Sequence, residues 1–375
     1  MRKEEIRGLI IYSLLIVAAL IVGFTVIKPA ITYYGPEKMS DFGFIIVVLI
    51  IAYLVNAIGL EVLHVLGAFF GGYKVTSFNV LGLCLRHTPE KWKLCFRDFN
   101  GISGETIIAP KKAKTNINLL TWFPLFGYTA ELALCIVVAT LIKSTPNPTN
   151  AWLRPAALLF VLISSMIAFY NFVPLKLDSM TDGYRIRLFT KPVNVTAYNK
   201  MLEVQEDRRL GKSLENIPVF DEITEYTAEI NMLAMYKFLE DDKYTEAEEI
   251  VEKLLAHKNV LGLNEYNRLS AQKLYLAILL NPILEAKQLY EEICPIEIRR
   301  FIANDNSMPS IRAYILIAGM IEESESEVEF AKSKVEKAKK RALASEIKAE
   351  EKLLDKALNY VYENHPKWVK EKAAE

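Results

Sequence analysis

Residues 42–70 read FGFIIVVLIIAYLVNAIGLEVLHVLGAFF, an apolar run longer than the ~20 residues a helix needs to span a bilayer. Near its end lie two ionisable side chains, Glu61 and His64. They are three residues apart, so on a helix they share one face. An ionisable group in such a segment is costly and points to function. A buried glutamate–histidine pair with only a structural role is the other possibility.

Outward from this run, the stretches 7–27, 117–142 and 153–175 are also long and apolar, while the chain after about residue 195 is rich in charge. The 52% apolar share of the 375 residues follows from that unevenness. The pattern predicts a mainly α, polytopic membrane protein with about four transmembrane helices, then a cytoplasmic α-helical domain. Three parts are expected: an N-terminal transmembrane helix and loop at 1–41, a membrane core at 42–190, and a helical repeat domain at 191–375. The apolar run at 9–27 exceeds the ~7–15 residues of a signal-peptide core and no small-x-small cleavage site follows, so it is expected to remain as a helix.

Formal net charge is zero, which argues against a nucleic-acid partner. The distribution of charge is more informative. Arg2, Lys3 and Arg7 precede the first helix, and Lys74, Arg86, Lys91, Lys93, Arg97, Lys111, Lys112 and Lys114 fill the loop between the second and third. The other two loops carry only Lys28 with Lys38, and Lys143 with Arg154. The positive-inside rule then places both termini and the 71–116 loop in the cytoplasm of a multi-pass cell-membrane protein. Cys84, Cys95, Cys135 and Cys294 form no C-x-x-C pair. Disulfides are not expected on this topology, and Cys84 and Cys95 read as core residues of neighbouring strands.

Gly71-Gly72 should end the second helix. Alternation at Val75, Ser77, Asn79 and Leu81, and short strand patterns at 91–99 and 104–109 punctuated by Pro89 and Asn100-Gly101, predict a small β-sheet inserted at 72–112. After the fourth helix, Pro174 and the Asp182-Gly183 pair predict a turn at the membrane face. The later region contains an echo at an offset of 39 residues: Tyr236 matches Tyr275, Leu239 Ile278, Glu246 Glu285, Ala247 Ala286, Ile250 Leu289 and Leu254 Ile293. A repeated helix pair of this kind suggests a tetratricopeptide-like solenoid, whose usual period is about 34. Residues 322–364, dense in Glu, Lys and Ala, predict one or two long solvated helices.

Leu60-Glu61-Val62-Leu63-His64 is an H-E-x-x-H motif with leucine for the first histidine. The intact motif binds zinc through two imidazoles on one helix face, with the glutamate as general base. Together with Ala68 and the following Gly72-Tyr73-Lys74-Val75, the segment resembles the site-2 protease family of intramembrane zinc metalloproteases, which reads H-E-x-x-H-x-x-x-A, then a glycine and a short strand. Asn171-x-x-Pro174 followed by Asp182-Gly183 resembles the family's N-x-x-P…D-G motif, with a longer spacer. Gly127-Tyr128-Thr129-Ala130-Glu131 resembles its G-P-x-x-N segment, with tyrosine for proline and glutamate for asparagine. The three matches fall on the second, third and fourth helices in the family's order and cover roughly 42–190. The blocks at 72–78 and 101–111 also resemble a subgroup from Gram-positive bacteria.

The resemblance implies His64 and Asp182 as metal ligands, Glu61 as the catalytic base, and Glu131 and Asn171 as substrate-binding residues. Leu60 has no donor atom. The set therefore falls short of the three protein ligands usual for catalytic zinc, and Zn2+ is the expected cofactor only if the site is functional. Of the other histidines, His87 reads as a surface strand residue, and His257 and His365 lie in the soluble region. Glu131 could approach the metal, pair with His64, or sit protonated between helices. Asp178 is a second nearby carboxylate or a solvated turn residue. The expected function is a site-2-protease-like pseudoprotease with a binding or regulatory role, its core receiving a transmembrane protein or peptide client and its repeats a cytoplasmic protein. The alternative is an active intramembrane metalloprotease with a rearranged zinc site.

Overall fold

The long apolar segments become helices because a chain crossing hydrocarbon must satisfy its backbone polar groups internally. In the computed structural model, which describes residues 3–29, 32, 40–87, 91–96, 104–111, 115–144, 153–176, 180–212, 217–340 and 344–370, four helices have the length and apolarity to cross a membrane: 6–26, 45–70, 117–141 and 153–172. The chain divides into two compact units, Met1–Val195 and Thr196–Glu375.

The first unit holds α1 (Lys3–Val22, continued by a π-helical turn over Gly23–Ile27), α2 (Ser40–Phe70), α3 (Ile117–Ser144), α4 (Leu153–Phe172) and the short α5 (Asp182–Leu188). Helices α2, α3 and α4 pack on one another, and α1 meets α4 where Tyr12 and Tyr170 stand edge to face at 6.1 Å. Ile46, Val47 and Ile50 of α2 and Leu134, Ile136 and Val137 of α3 point outward. Such apolar exteriors suit lipid better than water and are consistent with a membrane protein. Gly127 is what brings α3 close to α2: a Cβ there would lie 2.3 Å from the Leu63 side chain.

Between α2 and α3 the chain forms β1 (Tyr73–Val80), β2 (Leu83–His87), β3 (Trp92–Phe96) and β4 (Gly104–Pro110). They make one antiparallel sheet in the order β3-β2-β1-β4. Leu81 is not a strand residue, as its alternation had suggested. With Gly82 it makes a two-residue hairpin turn, φ 51° and 86°, joining β1 to β2, and this left-handed pair matches the twist of the flanking strands. Cys84 and Cys95 face each other across β2 and β3, and all four cysteines are free. Pro89, Asn100-Gly101 and Asp178 lie outside the described residues. The Asp182-Gly183 pair begins a helix where a turn was expected: the Thr181 hydroxyl accepts from the Tyr184 N–H and caps α5.

Among its described residues the second unit contains helices and connecting turns and no strand. Helix α6 (Pro192–Arg209) starts just before the division at Val195, and the second unit continues with α7 (Glu225–Glu240), α8 (Tyr244–Leu255), α9 (Leu263–Leu280), α10 (Ile283–Ile293), α11 (Ile296–Asn304), α12 (Met308–Leu316), α13 (Glu325–Ser333), α14 (Val335–Lys339), α15 (Ala344–Asn364) and α16 (Pro366–Lys370). Two helix hairpins, α7–α8 and α9–α10, carry the six matched positions of the sequence echo, and Ala247 and Ala286 are both fully buried. The 322–364 region differs from the expected solvated helices. It breaks into α13, α14 and α15, and Leu353, Leu354, Ala357 and Val361 of α15 are buried in the core. At its centre the fully buried Arg312 donates to Glu350 at 3.0 Å and Gln272 at 3.1 Å, and lies over the Tyr275 ring.

Candidate functional site

Glu61 and His64 project from the last turns of α2 into a cleft closed by α4, α5 and β4, and both are buried. His64 Nε2 lies 2.8 Å from Asp182 Oδ2, and its Nδ1 is 3.5 Å from Glu61 Oε2. Asn171 donates from Nδ2 to the same Asp182 oxygen at 2.7 Å. The Arg185 guanidinium is 3.8 Å from the other oxygen. On the far side of Glu61, the Thr106 hydroxyl of β4 donates to Oε2 at 2.6 Å. Residues 118 positions apart thus meet because α5 turns back under α4. Gly183 permits the return, since a Cβ there would fall 1.9 Å from the Phe172 carbonyl oxygen.

Burial opposes ionisation of Asp182, but His64, Arg185 and the Asn171 amide outweigh it and hold its carboxyl below the usual carboxylate range. A buried carboxylate with three such neighbours is compensated in charge and hydrogen bonding.

Leu60 lies one turn from His64 and makes a different set of contacts. It is buried against Tyr128 of α3 and Ile167 of α4, with Ile163, Ala168 and Phe172 at the margin. One turn further from the sheet, Glu131 Oε1 accepts from Ser164 Oγ at 2.7 Å and Asn56 Nδ2 at 3.2 Å. Tyr128 spans the two levels by donating to the Asn56 carbonyl oxygen at 3.2 Å. Beyond them, Val48, Ala156 and Leu159 form another apolar cluster. The three-helix core is therefore layered: a Glu61–His64–Asp182–Asn171 level, an apolar Leu60 level, a Glu131 level, and a second apolar level.

The structure brings together four of the five site residues singled out from sequence, Glu61, His64, Asp182 and Asn171. Glu131 stands apart from them, bonded within its own level. Thr106, Asn56 and Ser164 had not been singled out. Asn56 and Ser164 could have been found, since Asn56, Leu60 and His64 recur every four residues and Ser164 and Asn171 lie seven apart on α4, so each joins a motif face. Thr106 reaches Glu61 only through the β1–β4 pairing, which local sequence does not encode.

Zinc does not fit this donor set. His64 and Asp182 bond to each other, Leu60 beside them offers only hydrocarbon, and Glu131 is engaged one level away. The other histidines are elsewhere: His87 packs on Trp92 at 5.0 Å, His257 bonds the Lys253 carbonyl at 2.8 Å, and His365 stacks on Trp368 at 4.0 Å. Among the described residues no group of three or more His, Cys, Asp and Glu side chains could hold a metal ion. Comparison with protein-family models, curated proteins and solved structures finds no match for this chain.

Proposed function

We propose that the chain is a site-2-protease-like, multi-pass membrane protein that binds a transmembrane protein or peptide client without cleaving it. The observation that carries this is the Leu60 contact. At the position of the motif's first histidine, a side chain without a donor is packed against Tyr128 and Ile167, and His64 and Asp182 bond directly to each other. Both termini and the sheet are assigned to the cytoplasmic side on the distribution of basic residues. The second unit would recruit a cytoplasmic protein through tetratricopeptide-like helix pairs, supported by the coincidence of the sequence echo with the α7–α8 and α9–α10 hairpins.

Retention of Glu61, buried and bonded beside His64, favours a second reading, an active metalloprotease with a rearranged zinc site. Metal analysis of the purified protein separates the two. The pseudoprotease should hold far less than one equivalent of zinc, and Leu60→His should raise that content. Stoichiometric zinc in the parent, lost in His64→Ala or Asp182→Ala, would sink the proposal. A Leu60→His variant that folds but gains no zinc would count against the motif alignment.

A further inference from the structure

The outer hairpin of the sheet carries an exposed apolar face on which nothing is packed among the described residues. Register places Leu83 opposite Phe96, Leu85 opposite Leu94, and His87 opposite Trp92. Directly paired side chains of an antiparallel ladder project from the same face, so Leu83, Leu85, Trp92, Leu94 and Phe96 form one continuous patch. All five are exposed, Leu94 at 65% and Phe96 at 87%. Exposed apolar clusters of this size mark an interaction surface. The intervening positions project from the opposite face, where Arg86 is paired with Lys93 and Cys84 is buried against Ser77. The hairpin is therefore amphipathic with period two: hydrocarbon on one face, and two cations and a buried cysteine on the other.

Where the hairpin is tethered says what covers the patch. Strand β1 begins three residues after α2 ends at Phe70, and β4 ends seven residues before α3 begins at Ile117. Both helices are of membrane-spanning length, so the sheet cannot leave the bilayer surface. Exposed aromatic residues lie at these same helix ends, with Phe69 and Phe70 on α2 and Trp122 on α3. Aromatic belts of this kind lie at headgroup level. The cations on the opposite face suit a headgroup layer that contains anionic lipid.

We infer that the β2–β3 hairpin docks on the lipid bilayer, its Leu83, Leu85, Trp92, Leu94 and Phe96 face seated in the headgroup–acyl boundary and its Arg86–Lys93 face turned to the phosphates. Across the sheet this face continues through Phe78 of β1, paired with Leu85, to Thr106 of β4, paired with Phe78. The lipid-seated face thus ends at the residue that bonds Glu61.

Trp92 provides the test. A full-length variant with Trp122, Trp152 and Trp368 changed to Phe is reconstituted in phosphatidylcholine vesicles containing phosphatidylglycerol. Its emission should be blue-shifted and quenched by lipids brominated near the headgroup more than by lipids brominated near the chain end. Phe96→Glu in that background should shift the emission to the red and raise quenching by aqueous iodide at least twofold. Water-like emission with no bromolipid quenching would overturn the inference. Shielding that disappears as protein is diluted into excess lipid would also overturn it, in favour of a second copy of the chain. In the unaltered protein, a photoactivated apolar carbene probe dissolved in the bilayer should label 83–96. Absence of label there, with α2 labelled, would overturn the inference even if the tryptophan variant does not fold.

Discussion

His64 illustrates how a neighbour defines what a side chain does. In a three-ligand metal site its ring nitrogen would give a lone pair to the ion; here that nitrogen is held by Asp182 at 2.8 Å. Removing one member of such a buried pair leaves the other uncompensated, at a cost of about 3–5 kcal/mol. Asp182→Ala should therefore lower the thermal midpoint of the detergent-solubilised protein more than Asn171→Ala, which deletes a bond to the carboxylate worth about 1.5–3 kcal/mol and a longer one from the Asp182 N–H. In the second unit Asp305 behaves comparably. Burial alone would raise its carboxyl, but bonds from Arg268, Ser307 and Ser310 bring it down to about 2, against 3.8 for the free group. A carboxyl depressed in the folded state adds stability that is full above the unfolded value and is lost as pH falls through the folded one. Asp305→Asn should flatten the decline in stability between pH 4 and 2, measured as unfolding midpoints across that range. Glu61, His64, Asp182 and Asn171 stood out because polar side chains are few in and beside the apolar segments, and they cluster; Thr106 and Arg185 did not, because they are common residues given meaning only by tertiary contact.

At the scale of elements, legibility followed the strength of the periodic signal. The membrane helices declared themselves by length, and the inserted sheet by alternation. The β1–β2 turn did not, because Leu81 continues the apolar alternation while its φ of 51° is one that L-residues other than Asn and Asp avoid. Leu81→Asn should relieve about 1 kcal/mol of that strain and raise the unfolding midpoint. A Leu81→Val variant should lower it. The acidic, basic and alanine-rich tail misled in the opposite direction. Its charge density hides Leu353, Leu354, Ala357 and Val361, which recur at helical spacing and fill the core against α12. The small residues of the echo behave as their spacing implied. Ala247→Leu or Ala286→Leu should each overpack a site with no exposed surface and cost about 1–3 kcal/mol, seen as an earlier transition in chemical denaturation of the full chain.

For the whole molecule, the division into a membrane unit and a helical unit was readable from where charge begins, because solvent sets composition over long stretches more firmly than it sets any one contact. What composition could not convey is the alternation of polar and apolar levels within the α2–α3–α4 core. That alternation bears on permeability. A bilayer holds its ion gradients only where no file of water joins its two faces, and the polar levels around Glu131 and His64 are stepping stones for such a file. Leu60, with Tyr128 and Ile167, closes the gap between them. Shortening it in Leu60→Ala should let water pass from the His64 level to Glu131 and raise proton leak in vesicles loaded with a pH-sensitive dye, while Leu60→Met keeps the seal. In this core the hydrocarbon of one leucine is the insulator between two polar levels.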